Sequence, residues 1–243
     1  MRTVAIVQAR MGSIRLPGKV LKDLAGKTVL ARVIERLRRC KLLDEVLVAT
    51  TDSPADDAIV EECGRCAVPS FRGSEQDVLD RYYQAAQQAK ADVVVRVTSD
   101  CPLIDAGITD KTIQAFLDSR TQYASNSLVR GYPRGLDTEV MSFAALESAW
   151  RQARHAYERA HVTPYIYEHP SEFKLLSVAA DTDYSHYRWT VDTAEDLEFA
   201  RSIFARLGEN PNFTWRDVLD LLGREPQLVE INRAVVQKAL QEG

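Results

Sequence analysis

The sequence predicts a single α/β domain built on a mostly parallel central sheet, and three observations carry that expectation. Val4-Ala5-Ile6-Val7 is a continuous β-prone run without polar alternation, the pattern of a strand buried on both faces. Similar runs return at Glu45 to Thr51 and, most strongly, at Asp92 to Thr98. Between them apolar residues recur at helical spacing, so strand and helix alternate as in βαβ crossovers. A chain of 243 residues that is 45% hydrophobic can bury one sizeable core.

The elements follow in order. The first run passes into a loop containing Gly12, Pro17 and Gly18, after which Val29, Val33 and Leu37 mark a helix. A helix is expected from about Pro54 to Cys63, a short strand around Val68 to Phe71, and an amphipathic helix marked by Val78, Tyr82, Ala85 and Ala89. The Asp92 to Thr98 strand ends at Ser99-Asp100-Cys101-Pro102. Open parallel sheets place ligands outside the carboxyl ends of their strands, which singles out Asp100. From about Tyr123 to Thr182 the pattern is irregular, with helical patches after Ser142 and around His155 to Tyr167; such a stretch suits a cover over the site or a subunit contact. Tyr187 to Val191 reads as a returning strand that ends at Asp192, Thr193 as a helix cap, and Glu195 to Leu207 as the helix. Beyond Asn210-Pro211-Asn212, helical stretches at about Trp215 to Leu222 and Pro226 to Leu240 suit an appendage packed on the main body. The expected division is a main domain over 1–207 and a C-terminal helical appendage over 208–243.

A net charge of −4 argues against a general nucleic-acid binder, so an anionic ligand must meet a local basic pocket. The opening apolar run is too short for a signal-peptide core or a membrane span, and a cytoplasmic protein is expected. Cys63 and Cys66 form a CxxC, but no second pair stands at zinc spacing and Cys40 and Cys101 are isolated; packed, reduced thiols are the simpler reading.

Ala9-Arg10-Met11-Gly12-Ser13-Ile14-Arg15-Leu16-Pro17-Gly18-Lys19 places three cations and two glycines in the first loop. Glycines let backbone N–H groups approach a triphosphate, and the cations balance its charge. A P-loop is excluded, because from Gly12 to Gly18-Lys19 there is one residue too many and Val20 stands where the magnesium-binding hydroxyl belongs. The three-glycine dinucleotide fingerprint is also missing.

This loop closely resembles the signature of the CMP-sugar-acid synthetases, which include the CMP-Kdo and CMP-sialate enzymes, and the chain resembles most the spore-coat polysaccharide biosynthesis protein F branch. The resemblance extends to Arg72-Gly73-Ser74-Glu75-Gln76-Asp77, to Val97-Thr98-Ser99-Asp100-Cys101-Pro102 and to Trp189-Thr190-Val191-Asp192-Thr193-Ala194-Glu195-Asp196, in order over roughly the first 200 residues. It implies a Rossmann-like three-layer sandwich of the nucleotide-diphospho-sugar transferase type. It also implies a cytidylyltransferase that moves CMP from CTP to a sugar acid with Mg²⁺ as cofactor. In that reading Arg10, Ser13, Arg15 and Lys19 bind the CTP phosphates, within a loop that includes Ala9 and Gly12. Asp100, next to Ser99, holds magnesium; Asp192 joins the metal or orients the acceptor; Gly73, Ser74 and Asp77 lie by base and ribose. Arg15 and Lys19, which stabilise the leaving pyrophosphate, join Asp100 and Asp192 as the catalytic set.

Two further stretches are typical of the branch, Arg130 to Val140 and Glu158 to Ile166. In them Arg134 can clamp an acceptor carboxylate, and Asp137, Glu139 or His161 can hold sugar hydroxyls or amines. Each of these residues also has a purely structural reading: Asp192, Ser74 and Asp77 as helix caps, Asp100 as a turn carboxylate. The resemblance implies a homodimer. A nucleotidyltransferase acting on a sugar or polyol phosphate, a glycosyltransferase, and an idle nucleotide-binding subunit remain as alternatives.

Overall fold

The computed structural model describes residues 1–237. Its strands are β1 (Thr3–Gln8), β2 (Asp23–Leu24), β3 (Lys27–Thr28), β4 (Glu45–Thr51), β5 (Ser70–Gly73), β6 (Val93–Thr98), β7 (Tyr123–Ser125), β8 (Glu139–Ser142) and β9 (Leu175–Ser177). Seven of them form one sheet in the order β5-β4-β1-β6-β8-β7-β9, and β2 and β3 form a separate hairpin. β5, β4, β1 and β6 pair in parallel, β8 runs antiparallel to both its neighbours, and β9 pairs in parallel with β7.

The α-helices are α1 (Val29–Leu37), α2 (Asp57–Arg65), α3 (Val78–Gln88), α4 (Ala106–Asp118), α5 (Phe143–Gln152), α6 (Ala156–His161), α7 (Pro164–Glu168), α8 (Ala194–Leu207) and α9 (Trp215–Arg224). Side-chain caps set several starts: Thr28, Asp77, Asp105, Ser142 and Thr193 each accept a backbone N–H from the first turn that follows. Each such cap satisfies a donor that the helix itself leaves unpaired, and contributes about 1 kcal/mol.

The strands alternate between two cores. Ala5, Val7, Val46, Val48, Val93 and Val95 pack on α1, α2 and α4, while Val4, Ile6, Leu47 and Val94 pack on α3, α5 and α7. Helices on both faces of a mostly parallel sheet make the expected three-layer α/β sandwich. A third cluster joins Leu103, Trp189 and Val191 to α8, α9 and Leu228, so the tail is continuous with the body through apolar packing.

The chain order places the site. Crossovers from β1 to β4 and from β4 to β5 run outward through α1 and α2, whereas α3 carries the chain back over the opposite face to β6, on the other side of β1. The strand order therefore reverses between β1 and β6, and their carboxyl ends splay their loops around a crevice. Register pairs Gln8 with Thr98, so Ala9 and Ser99, where the two loops begin, leave the sheet side by side.

Three sequence expectations change. Tyr187 to Val191, read as a returning strand, lies outside the sheet: it forms one isolated bridge, Arg134 to Arg188, and its Trp189 packs in the third cluster. The segment from 123 to 182 contributes three sheet strands, β7, β8 and β9, which are only three or four residues long and carry no clear alternation. In the tail, a 3-10 turn covers Pro226–Ile231 in place of the long helix expected to Leu240, whose last three residues lie outside the described ones. No helix among the described residues is long and apolar enough to cross a membrane.

Candidate active site

The first loop is pinned before any ligand arrives. The buried Asp56 accepts Met11 N at 2.8 Å together with Thr51 N, Thr51 Oγ1 and Thr50 Oγ1. Burial by itself raises the pKa of that carboxyl, but these hydrogen bonds outweigh it and the net direction is down. Gly18, at φ 65°, takes the left-handed conformation that starts the turn over Lys19–Leu21. Gly18 N and Ser13 N both donate to Met11 O, which folds the loop back on itself.

The turn delivers Lys19 between two carboxylates. Its Nζ lies 2.6 Å from Asp100 Oδ2 and 2.7 Å from Asp192 Oδ1. Asp192 Oδ2 is met by Arg15 at 2.9 Å and by Arg188 at 2.7 Å. Asp100 Oδ1 accepts from Thr98 Oγ1 at 2.5 Å, with Cys101 Sγ beside it at 3.5 Å. Burial depresses the Lys19 pKa, yet the two carboxylates more than reverse this and raise it; Asp100, buried but facing Lys19, moves below the usual carboxylate range. The two shifts agree in direction, each favouring the charged form of Lys19 and Asp100.

Asp192 reaches the crevice without a strand beneath it. Val191 N donates to Asp100 O at 2.7 Å and Thr190 Oγ1 to the same carbonyl at 3.2 Å, so the segment is tied directly to the loop after β6. Gly135, at φ 102°, permits the other half of the attachment, in which Arg134 N donates to Tyr187 O and Trp189 N to Arg134 O. A Cβ at Gly135 would stand 2.6 Å from the carbonyl carbon of Trp189, so only glycine fits.

The stretch after β5 faces the first loop. Glu75 lies 3.8 Å from Arg10 and within 3.4 Å of a Cβ built on Gly12. Gly73 ends β5, and Ser74 Oγ accepts Asp77 N at 3.0 Å. Asp77 caps α3 and receives two nitrogens of Arg159, at 3.0 and 2.5 Å, so its carboxylate is fully engaged within the protein. Ser99 is buried, its N–H continuing the β1 to β6 ladder to Gln8 O.

On the acceptor side the expected residues divide. Arg134 is half-buried and has no side-chain hydrogen bond or ion pair among the described residues; burial and the neighbouring Arg130 lower its pKa, and Asp137 offsets this only in part. Asp137 is held by Arg130 through two parallel contacts at 2.8 and 3.0 Å. Glu139 has other partners than an acceptor: it is buried on β8 against Arg96, Tyr123 Oη at 2.5 Å and Thr163 Oγ1 at 2.7 Å. His161 ends α6 just before Val162, whose φ of 74° and ψ of −53° let Thr163 N donate back to His161 O. A positive φ at a buried β-branched residue is a local strain next to these groups.

The cysteines stay apart from this chemistry, except that Cys101 touches Asp100. Burial pushes the Cys40 and Cys63 thiols up to about 12. Among the described residues no group of three or more His, Cys, Asp and Glu converges as a metal cage. Asp100 and Asp192, which share the Lys19 ammonium, are the residues that could hold a magnesium ion whose shell is completed by phosphate oxygens and water.

A cytidylyltransferase family model matches residues 4–217, which contain Lys19, Asp100 and Asp192. The chain belongs to the cytidylyltransferase family. Within that family it is 35% identical over 228 residues to the spore coat polysaccharide biosynthesis protein SpsF of Bacillus subtilis, covering 91% of this chain and 94% of that one. It is 38% identical over 117 residues to the 3-deoxy-manno-octulosonate cytidylyltransferase of Trichlorobacter lovleyi, covering 48% and 46%. The solved structure of a cytidylyltransferase from Leptospira borgpetersenii superposes with a TM-score of 0.91 at 34% identity, covering 98% of this chain and all of that one.

Proposed function

We propose that this cytidylyltransferase-family chain transfers CMP from CTP to a sugar acid and releases pyrophosphate, with Mg²⁺ as cofactor, in the biosynthesis of a polysaccharide or glycoconjugate. The single observation that carries this reading is the meeting of Asp100 and Asp192 at Lys19 Nζ, at the reversal point of the sheet. Nucleotidyl transfer needs negative charge balanced along a triphosphate, and the protein's task is positioning and electrostatic stabilisation. Arg10, Arg15 and the pinned backbone of the first loop bind the phosphates. Lys19 turns from the carboxylates to the pyrophosphate as the bond between the α-phosphorus and the bridging oxygen breaks. Asp100 and Asp192 would hold Mg²⁺, which would supply charge neutralisation for the phosphate oxygens and acidify the acceptor hydroxyl.

Arg134 supports the acceptor half. A half-buried guanidinium without a carboxylate partner among the described residues suits a planar anion brought by the substrate, and a sugar acid carries one. Asp137, near Arg134, and His161, at the end of α6, are the candidate contacts for hydroxyls. The same reading makes the protein a cytoplasmic homodimer; sedimentation that shows monomer at every concentration dismisses the dimer.

Calorimetric titration with CTP, ATP, GTP and UTP, each with and without Mg²⁺, tests the nucleotide half. Selective CTP binding strengthened by Mg²⁺ is expected, and Asp100→Asn is expected to stay folded but lose Mg²⁺-dependent pyrophosphate release. Pyrophosphate release with sugar phosphates and none with sugar acids would move the acceptor class to the former.

A further inference from the structure

One side of the ionised cluster is held by the C-terminal segment. Asp196, in the first turn of α8, is fully buried. Its carboxylate accepts Arg188 Nε at 2.9 Å, Arg188 Nη2 at 3.0 Å, Asp192 N at 2.9 Å, Thr193 N at 3.2 Å and Asn232 Nδ2 at 2.9 Å. Asn232 follows the Pro226–Ile231 turn and is buried; the same Nδ2 donates to Arg188 O at 2.9 Å. Arg188 is thereby gripped by backbone and side chain, and its Nη2 reaches Asp192 Oδ2 at 2.7 Å. Gln237 takes Nη1 at 2.6 Å.

We infer that Asn232 is a positioning residue for the candidate active site, acting through Arg188 and Asp196 to fix the carboxylate of Asp192. The physical need is specific to this fold. Asp192 follows a segment that lies outside the sheet, so no strand ladder holds its backbone, and its side chain can rotate unless one oxygen is tied. Arg188 ties Oδ2 and leaves Oδ1 facing the cation position that Lys19 marks. Arg188 itself needs an anchor against the pull of two carboxylates, and Asn232 supplies it by bridging the Arg188 carbonyl and Asp196. Partners of this kind behind a metal-binding carboxylate change metal affinity roughly 10- to 100-fold.

The inference rests on the proposed function, and the experiment separates the two. Mn²⁺ is titrated, with CTP present, into full-length wild type, Asn232→Leu, Arg188→Lys and Leu228→Ala, and free Mn²⁺ is read by electron paramagnetic resonance. Leu228 is a buried apolar residue of the same tail, packed in the third cluster and making no hydrogen bond through its side chain, so it reports mere loosening. Asn232→Leu is expected to weaken Mn²⁺ binding by about 10- to 100-fold, and to raise the Mg²⁺ concentration for half-maximal pyrophosphate release by the same factor. Arg188→Lys keeps the charge but cannot hold Asp192 and Asp196 together, and the same weakening is expected even where Asn232→Leu does not fold. Leu228→Ala is expected to lower the unfolding temperature with Mn²⁺ binding unchanged. Wild-type affinity in a folded Asn232→Leu or in Arg188→Lys, or equal weakening in Leu228→Ala, overturns the inference alone. A wild type that binds no Mn²⁺ with CTP overturns the proposed function and the inference with it.

Discussion

Lys19→Met tests whether the lysine ammonium stands in for the metal. Its Nζ makes two charge-assisted contacts, 2.6 Å to Asp100 and 2.7 Å to Asp192, with only 12% of the side chain exposed. A divalent cation that enters without nucleotide must break both contacts before it can use the same oxygens. Each charge-assisted hydrogen bond in such a setting contributes roughly 1.5–3 kcal/mol, so the pair contributes about 3–6 kcal/mol, which at about 1.4 kcal/mol per decade is a roughly 10²- to 10⁴-fold penalty on metal affinity. Methionine fills most of the volume and removes the competitor. Arg15 and Arg188 still neutralise Asp192, and Thr98 still holds Asp100, so the fold is expected to persist. Titration of Mn²⁺ into nucleotide-free protein should show binding roughly 10²- to 10⁴-fold tighter in Lys19→Met than in wild type. Pyrophosphate release in the same variant should fall by roughly 10²–10³, the usual cost of losing one donor aimed at developing charge. Tighter metal with slower chemistry is an unusual pairing, and it follows only if the ammonium and the metal share a place. Mn²⁺ affinity in Lys19→Met equal to or below that of wild type refutes the reasoning.

Arg134→Ala should raise the KM for a sugar-acid acceptor about 10- to 100-fold, the worth of one charge-assisted pair, while CTP affinity by calorimetry stays unchanged. Gly135→Ala forces a Cβ to within 2.6 Å of Trp189 backbone at a φ of 102°; a loss of about 1–3 kcal/mol in chemical denaturation is expected, and CTP affinity should fall with it because the segment carrying Asp192 is pushed away. Glu139 provides a pH signature: burial alone would raise its pKa, but Arg96, Tyr123 and Thr163 bring it below the ordinary 4.5. A depressed carboxyl stabilises the fold above that ordinary value and loses its contribution as pH falls through the folded one. The thermal stability of wild type should therefore exceed that of Glu139→Gln above pH 4.5, with the gap closing below it; a gap that stays constant into acid would show that ionisation of Glu139 contributes nothing.

Much of the site was legible because its signals are local. The first loop carries its cations and glycines within eleven consecutive residues, and Asp100 stands directly after the strongest strand, where sheet geometry alone predicts a ligand. Asp192 was singled out as the end of an expected strand and by the resemblance, whereas the cap read beside it is present: Thr193 accepts Asp196 N, and the Asp196 side chain returns to the Thr193 backbone. Tyr187 to Val191 misled because an apolar β-prone run looks the same whether it pairs in a sheet or packs as an extended strap. The strands that occupy the sheet in its place, β7, β8 and β9, are too short to announce themselves.

Partner choice was hidden for a different reason. Asp77 meets Arg159 across 82 positions, Glu139 meets Arg96 across 43, and Asn232 reaches Arg188 across 44. No spacing rule links such residues; the meeting depends on how helices and loops are laid over the sheet. Asp56, Thr98, Arg188 and Asn232 were missed accordingly, since each is an ordinary cap, strand or tail residue until the fold brings it to the site. The sequence by itself determined the βαβ plan, the cation- and glycine-rich first loop and the carboxylate after β6, because hydrophobic period, glycine placement and strand ends are properties of neighbours along the chain. Only the tertiary structure decided which carboxylates face the cation position and which are consumed by internal pairs, because a charge buried by folding must find its counter-charge wherever the packed chain has placed one.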